Sequence, residues 1–421
     1  MRILLTAIFI CIYLINPFFS FAQEGCTDPM ARNFNKKATK NDGSCVYSPI
    51  TISPLSAHLL SDTIQETSGL IWWNNYLWTH NDNSDNNLYA IDTANGNIVS
   101  KKTIRYVENF DWEEITQDKD YVYVGDFGNN GTGNRKNLHI LRIEKTALQK
   151  SNSVVCDTIW FEYRNQFDYS SVPANTTDFD CEAFIVTSDS IYLFTKQWKS
   201  KKTTVYSLPK IPGKYKAIPI ETYDIQGLVT GAHYQPDQNT IVLSGYSISS
   251  SIISPFVFLL YDFKKNDFFG GNKRRINLSL MMLQTEGIAS RDGKTYFISN
   301  EKISNIITVT PKIHSINLSP YLPRFYSSKD QTTEIIDQKS IQISNNPKKE
   351  EINITFKAQK NVEAYLFIKD NNKKVVHQQK IKVNLDKNEI QIKSSSFKNE
   401  TYQVLIIGNG VEVTKTFEYV K

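Results

Sequence analysis

The residues of this sequence best suited to chemistry are acids that lie at the start of strand-like segments. The clearest group opens the stretch DWEEITQDKDYVYVGDFGNN, Asp111–Asn130, where Asp111, Glu113 and Glu114 surround Trp112. The stretch ends in a Gly-Asp-Phe-Gly-Asn-Asn turn, whose glycines let the chain fold back. Carboxylate and amide oxygens are the ligands that a hard cation such as Ca²⁺ prefers, and they also bind hydroxyl groups. The stretch therefore predicts a site for a cation or for a polyhydroxylated ligand.

Weaker versions of this opening recur about every 45–70 residues, which is typical of a repeat architecture. Each places a small or acidic residue two positions before an apolar one, and further segments of alternating apolar residues follow it. Units of four short strands are the signature of β-propeller blades. A β-sandwich array is the alternative, but it would not need the same polar residues at the start of each unit. The five openings are Ser68-Gly69-Leu70, Glu113-Glu114-Ile115, Glu182-Ala183-Phe184, Thr230-Gly231-Ala232 and Glu286-Gly287-Ile288.

We therefore predict an all-β protein with a β-propeller of five visible repeats, and five or six blades, over residues 51–325. The stretches Ser56–Thr63 and His314–Leu318 are left either to close the ring or to supply part of a sixth blade. The third strand of each unit is predicted at Leu88–Ile91, Leu138–Ile143, Thr204–Leu208, Phe256–Tyr261 and Ile306–Val309. Fourth strands are predicted at Ile98–Ile104, Thr158–Tyr163, Ile218–Tyr223 and Ile276–Leu280.

Propeller geometry places the candidate site at the mouth of the central channel. If the strands of a blade run from the axis to the rim, the start of each first strand and the end of each second strand meet on one face. The acids there would bind a ligand, accept backbone N–H groups from a neighbouring blade in a purely structural role, or catalyse a reaction. The candidate metal ligands, with Ca²⁺ as the expected ion, are Asp111, Glu113, Asp126, Glu182 and Glu286. The candidate ligand-binding residues are Glu66, His80, Asp82, Asp111, Glu113, Asp126, Asn130, Glu182, Glu286 and Glu301.

Composition argues against several other classes of protein. The formal net charge of +5 is small, and much of the excess Lys follows Ser340, so a nucleic-acid partner has little support. The six His are scattered without metal-ligand spacing, and there is no C-x-x-C, which argues against a zinc site. Neither G-x-S-x-G nor a P-loop motif occurs, which argues against a serine hydrolase or a P-loop enzyme.

The first 22 residues have the pattern of a secretory signal peptide. Met1-Arg2 precedes the apolar run Ile3–Ile15, and Ser20-Phe21-Ala22 resembles a cleavage site before Gln23. A membrane anchor is the alternative, but the run is shorter than the ~20 residues of a spanning helix. We expect an exported mature chain with no transmembrane segment, in which disulfides are permitted.

Residues 23–50 form a small module that is too short to build a core, so a Cys26–Cys45 disulfide is expected. The module resembles short modules of secreted bacterial surface proteins, with Phe34 in the aromatic position. Those modules look like relatives of acidic calcium-binding repeats. Here Lys36, Lys37 and Lys40 replace much of the acidic filling, which favours a structural spacer.

The other two cysteines of the mature chain are predicted to be free thiols. Cys156 opens a fourth strand at the rim, whereas Cys181 precedes the innermost strand of the next blade. A strand of about six residues spans ~20 Å, and a disulfide needs Cα atoms within roughly 7 Å.

Four motifs carry a family resemblance. The segments Glu66–Leu70 (ETSGL), Thr79–Asp82 (THND), Asp111–Ile115 (DWEEI) and Gly125–Asn130 (GDFGNN) resemble those of secreted bacterial propellers, including the SdiA-regulated and phytase-like (esterase-like phytase) propellers. The resemblance covers residues 62–311 and is most specific in the first two units. It implies an exported propeller, and the acidic ring at the channel mouth predicts that one face binds a cation, a glycan or a protein. The alternative is a calcium-dependent hydrolase, such as a phosphoesterase, that uses the same acidic ring, and the question of enzyme activity stays open.

The C-terminal fifth of the chain has its own strand pattern. Residues 326–340 read as a linker, and residues 341–421 as a small immunoglobulin-like β-sandwich. The order of Asn346-Pro347, Ala364–Asp370 and Tyr402-Gln403-Val404 resembles the C-terminal sorting domain of type IX secretion, although Asn372 and Thr401 stand where Gly is usual. That resemblance implies the type IX machinery as partner and a secreted or surface-attached location. An adhesive accessory sandwich is the alternative.

Overall fold

The computed structural model describes residues 22–420, apart from 84, 251, 281, 305–307, 323–335, 360 and 409–410. All but the last residue of the predicted signal peptide, and residues 326–335 of the predicted linker, lie outside the described residues. In the described part of the chain, no helix has the length and apolar character needed to cross a membrane.

The chain begins with the stapled module and two short strands that lead into the propeller. Strands β1 (Glu24–Gly25) and β2 (Lys40–Asn41) pair in parallel. The predicted Cys26–Cys45 disulfide is confirmed, with Cα atoms 4.8 Å apart. Strands β3 (Thr51–Ile52) and β4 (Ser56–Leu59) follow.

Five antiparallel sheets of four strands each come next, and they are the predicted blades. The first has β5 (Ile71–Trp73), β6 (Tyr76–Thr79), β7 (Asn87–Ile91) and β8 (Ile98–Ile104). The second has β9 (Trp112–Gln117), β10 (Tyr121–Asp126) and β11 (His139–Glu144), then helix α1 (Lys145–Lys150), β12 (Ser153–Val154) and its fourth strand β13 (Asp157–Tyr163). The third has β14 (Cys181–Val186), β15 (Ser190–Thr195), β16 (Thr203–Pro209) and β17 (Gly213–Tyr223). The fourth has β18 (Leu228–Gln235), β19 (Thr240–Ser249), β20 (Ile252–Tyr261) and β21 (Asn272–Leu278).

The fifth blade settles the blade number and closes the ring. It consists of β22 (Thr285–Ser290), β23 (Thr295–Asn300), a small hairpin of β24 (Ile303–Ser304) and β25 (Thr308–Val309), and β26 (Lys312–Asn317). Its outermost strand is the N-terminal β4, which pairs with β26. The innermost strands β5, β9, β14, β18 and β22 contact one another in a closed circle. The propeller therefore has five blades, and Ser56–Leu59 closes the ring rather than starting a sixth blade.

The predicted third strand of the fifth unit, Ile306–Val309, is wrong. Residues 305–307 are not described, and Thr308–Val309 pairs only with Ile303–Ser304 in the hairpin. The third strand is β26, which pairs with β23 and buries Ile313 and Ile316. The segment Ile306–Val309 is rich in Ile and Val and therefore resembles a core strand in the sequence.

Parallel pairs at the rim join parts of the ring. Strand β13 pairs with β17, so the second and third blades form one eight-stranded sheet. Strand β12 extends the first blade beside β8, and β3 extends the fourth beside β21.

The predicted free thiols are also confirmed, since Cys156 lies just before β13 and Cys181 is buried as the first residue of β14.

The stapled module packs against the fourth blade. The Asp28 carboxylate accepts hydrogen bonds from the hydroxyls of Tyr47 (2.8 Å) and Tyr261 (2.6 Å). The Asn41 amide donates to Asp262 and Asn272 of the same blade. The module thus holds the segment that carries β3 and β4 at the point of ring closure.

A two-sheet sandwich ends the chain, as predicted. One sheet has β27 (Gln342–Asn346), β28 (Glu351–Ala358) and β31 (Asp386–Lys393). The other has β29 (Val362–Lys369), β30 (Val375–Val383), β32 (Glu400–Gly408) and β33 (Val411–Tyr419). Strand β27 was not predicted.

Short 3-10 helices lie at Asp62–Ile64, Pro236–Gln238, Ser319–Tyr321, Gln338–Ser340 and Pro347–Lys349.

Candidate functional site

A cavity of about 210 Å³ lies among the innermost strands, at the end where the blade openings meet. Its walls are almost entirely polar. Seven of the ten candidate residues line it, namely Asp82, Asp111, Glu113, Asn130, Glu182, Glu286 and Glu301. The other lining residues are Ser68, Asn175, Lys196, Trp198, Tyr246 and Gln284. We call this space the axial cavity.

A repeated β-bulge explains why the same position of successive blades reaches the axis. In the second blade, Gly125 pairs with Glu114 and Asp126 with Trp112, so Glu113 has no partner across the ladder. The pairing skips Glu182 in the third blade, Thr230 in the fourth, and Glu286 with Gly287 in the fifth. A bulge leaves its extra residue unpaired and re-aims the side chain. The openings that the sequence repeats are therefore these bulges.

Glu114 shows the structural use of a buried acid. Its carboxylate accepts hydrogen bonds from the backbone N–H groups of Leu70 (3.2 Å), Ile115 (3.0 Å) and Ala232 (2.7 Å). These donors belong to the first, second and fourth blades, so one side chain joins three blades near the axis. Its lone pairs are satisfied inside the protein, which is how a buried carboxylate is usually tolerated.

Glu113 and Glu286 differ from Glu114, because no hydrogen-bond donor reaches either carboxylate among the described residues. Both side chains line the axial cavity, and each residue is only 6% exposed. Burial, together with the charge of Glu182, raises the pKa of both well above the usual range, against the opposing charge of Lys196. A buried carboxylate without donors is costly unless it is protonated, paired with a cation or bound to a ligand.

Among the described residues, Lys196 is the one cation that lines the axial cavity. It is 4% exposed, and its ammonium group forms a salt bridge with Glu182. The rings of Trp198 and Tyr246 lie 4.7 and 5.3 Å from the same ammonium group. Burial acts to lower the pKa of Lys196, but the surrounding acids, Glu182 first, hold it well above the usual range. Lys196 directly follows the second strand of the third blade and was not among the candidate ligand-binding residues.

A second group of acids lies around Asp82. Burial, together with the charges of Glu66 and Glu301, raises the pKa of Asp82 to about 8. The Asp82 Oδ1 atom is buried and has no hydrogen-bond partner in the described part of the chain. Burial, followed by the charge of Asp180, raises the pKa of Asp111 to about 6, against the opposing charge of Arg135. Within the described part of the chain, the axial cavity thus holds six acids beside one lysine.

Three candidate residues do not line the axial cavity. Asp126 is fully buried, and its carboxylate accepts from the Arg135 guanidinium (2.5 Å) and from the Phe110 backbone N–H (2.9 Å). His80 is buried behind the cavity, where burial lowers its pKa to about 4, so it is neutral. Glu66 lies close enough to act on the pKa of Asp82. Asp126 and His80 therefore have the surroundings of residues that stabilise the fold, and neither would face a ligand in the axial cavity.

One trio of acids has the spacing for a metal ion. Carboxylate oxygens of Glu113, Asp180 and Glu182 lie within 4.8 Å of one another. Calcium ligands lie at 2.3–2.6 Å from the ion, so two ligands on opposite sides are about 4.6–5.2 Å apart, which fits. Asp180 was not predicted, although Asp180-Cys181-Glu182 repeats the spacing of Asp111-Trp112-Glu113. Asp180 accepts from the Asn129 N–H (2.7 Å) and the Trp198 indole (2.8 Å).

Comparison with known proteins adds little beyond the fold. No protein-family model and no curated protein matches the sequence. Among solved structures, an exo-β-1,3-galactanase from Phanerochaete chrysosporium is similar over 87% of this chain and 99% of its own, at 8% identity and a TM-score of 0.39. The GH32 β-fructofuranosidase BmSUC1 of Bombyx mori is similar over 86% and 88%, at 9% identity and a TM-score of 0.35. YCF48 bound to D1 peptide is similar over 89% and 98%, at 9% identity and a TM-score of 0.29. At these low scores the neighbours carry no argument about the chemistry of this chain, whose own strand order makes it a five-bladed propeller followed by a sandwich.

Proposed function

We propose that the axial cavity binds a cation, with Ca²⁺ as the first ion to test. The observation that carries the proposal is the pair of buried carboxylates, Glu113 and Glu286, that face the cavity without a hydrogen-bond donor among the described residues. A bound cation would add positive charge to that of Lys196, and it would favour the ionised form of both acids. A glycan or a protein ligand is the outcome that remains if no cation binds.

The trio of Glu113, Asp180 and Glu182 fits such an ion best. Glu113 is free to ligate, whereas Asp180 is already oriented by Asn129 and Trp198. Glu182 is held by Lys196, so the ion would compete with the ammonium group for that carboxylate. This competition predicts a preference for a divalent ion over Na⁺ or K⁺, because a doubly charged ion gains more from the same carboxylates.

The test is a calorimetric titration of the mature chain with CaCl₂. We expect saturable binding that is lost or weakened by at least about tenfold in the double variant Glu113→Gln, Glu286→Gln, since one ligand of the trio and a second acid of the cavity are removed. The matched control is Glu108→Gln with Glu144→Gln, which removes two exposed acids outside the cavity. Equal calcium affinity in all three proteins would contradict the proposal.

A hydrolase is the second candidate, and one observation favours it. Asp111 and Asp82 line the same cavity with pKa values of about 6 and about 8. Near neutral pH the first is mostly ionised and the second mostly protonated, which is the arrangement of a general base and a general acid. A panel of phosphoesters assayed with and without Ca²⁺ tests this function. Activity that survives Asp82→Asn unchanged would contradict the assigned roles.

We also propose that the protein is exported and then secreted or held at the outer cell surface through its C-terminal sandwich. The support is the signal-like N-terminus, the Cys26–Cys45 disulfide and the sorting-like order of strands. The type IX machinery is the partner that the strand order suggests. Export of the chain from a strain that lacks this machinery would contradict the route.

A further inference from the structure

A second cavity, of about 250 Å³, lies where three parts of the chain meet. The stapled module contributes Arg32, the fourth blade contributes Arg274 from β21, and the sandwich contributes Lys369 and Lys373. We call it the junction cleft. The junction cleft differs from the axial cavity in charge. The charged residues that line the axial cavity are mostly acidic, whereas those that line the junction cleft are all basic among the described residues.

The charges of the junction cleft are unbalanced. No Asp or Glu side chain lines it among the described residues. Across the same part of the chain, Arg32, Lys369 and Lys373 take part in no salt bridge. The nearby Asp370 carboxylate is used within its own turn, where it accepts from the backbone N–H groups of Asn372 and Lys374 (2.9 Å each).

The pKa of Lys369 shows the effect of the neighbouring positive charges. The residue is half-buried at the end of β29. Burial lowers its pKa, and the positive charges of Arg274 and Lys373 lower it further. Asp28 acts in the opposite direction, but its carboxylate already accepts from Tyr47 and Tyr261. An anion in the cleft would relieve this repulsion.

Arg274 makes the cleft a built site rather than a chance cluster of surface lysines. It is only 5% exposed, and its guanidinium lies between the rings of Tyr47 and Tyr321, at 4.8 and 4.9 Å from their centres. It also donates to the Tyr321 carbonyl (3.4 Å). A guanidinium held in place by aromatic rings loses little freedom when it binds an oxyanion, and its planar fork suits phosphate and carboxylate groups.

We propose that the junction cleft binds a phosphate group, either free phosphate or a phosphate monoester. Its volume holds a phosphate with several waters or a small phosphorylated sugar, since a water molecule takes about 30 Å³. Arg32 and Arg274 come from the stapled module and the propeller, whereas Lys369 and Lys373 come from the sandwich. A bound phosphate therefore ties the sandwich to the propeller and to the stapled module.

The test is binding of inorganic phosphate and of glucose 1-phosphate to the full mature chain, measured by calorimetry at constant ionic strength. We expect saturable binding that weakens by at least about tenfold in Lys369→Gln, Lys373→Gln, because two charge-assisted contacts are lost. The matched control, Lys387→Gln with Lys393→Gln, removes two exposed lysines from the other sheet of the sandwich and should change affinity by less than about twofold.

Arg32→Gln serves as a second variant from the opposite side of the cleft, in case the sandwich tolerates the lysine changes poorly. It should weaken binding several-fold while the melting temperature stays unchanged. Tighter binding of the sugar phosphate supports a monoester as the ligand, whereas equal affinities support free phosphate. The proposal is overturned if neither compound binds, or if the control pair weakens binding as much as Lys369→Gln, Lys373→Gln.

Discussion

The raised pKa of Asp82 makes the pH dependence of stability a direct probe of the axial cavity. Asp82 has its pKa raised to about 8 in the folded chain, from a usual value of 3.8. Between these two values the folded protein holds a proton that the unfolded chain has lost. The free energy of unfolding must then fall as pH rises, by about 1.4 kcal/mol per pH unit for each such group.

The useful window lies above about pH 6.5, because buried histidines act in the opposite direction below it. His80 and His314 are buried, and burial lowers the pKa of each to about 4. Each therefore adds stability as pH rises from about 4 to about 6.5, and this contribution is complete above that range. From about pH 6.5 to about pH 8, Asp82 alone lowers the free energy of unfolding by about 2 kcal/mol.

The assay is urea denaturation across this window with divalent cations chelated. The wild-type chain should lose stability as pH rises, and Asp82→Asn should lose about 2 kcal/mol less over the same window. The control is Asp237→Asn, an exposed acid in the turn between β18 and β19, whose profile should match the wild type. Parallel profiles for wild type and Asp82→Asn would refute the reasoning, because they would show that the carboxyl group titrates alike in both states.

Three further outcomes are expected. Glu114→Gln should lower the free energy of unfolding by about 2–3 kcal/mol, because the new side-chain NH₂ group cannot accept from the buried backbone N–H groups, and it should leave calcium affinity unchanged. A Glu114→Gln chain that keeps its stability but loses calcium would contradict the division between structural and ligand-binding acids. A chain truncated after about Ser340 should fold its propeller but stay in the periplasm, and normal amounts of it in the medium would contradict a sorting role for the sandwich. Thiol counting under denaturing, non-reducing conditions should find two free thiols, Cys156 and Cys181, and none would contradict the strand order.

The strand positions of the first four blades could be predicted because apolar alternation and the acidic bulges both repeat in the sequence. The blade number could not, since it depends on β4, whose four residues Ser56–Leu59 are largely exposed and carry no apolar pattern. The error in the fifth blade has the same kind of cause. The segment Ile306–Val309 is rich in β-branched residues like a core strand, whereas β26 (Lys312–Asn317) buries four consecutive residues and does not alternate.

The sequence predicted where the candidate site lies, but not which of its residues already have a hydrogen-bond or ionic partner. Propeller geometry brings the bulge residues to one mouth, so Glu113, Glu182 and Glu286 were found from spacing alone. Lys196 and Asp180 were not assigned, since their roles depend on which rings and N–H groups surround them in space. Asp126 has the right spacing, yet Arg135 binds its carboxylate outside the cavity. A pattern of residue types does not reveal which acids already have a partner.

The central claim is that a cation binds among the acids of the axial cavity, and a crystal structure grown with Ca²⁺, with Mn²⁺ as an anomalous marker, tests it most directly. We expect an anomalous peak in the cavity with a Glu113 carboxylate oxygen within about 2.6 Å, the length of a calcium–oxygen bond. Lys196 should then have moved away from Glu182. A cavity without a peak at saturating metal, with Lys196 still paired to Glu182, would contradict the claim.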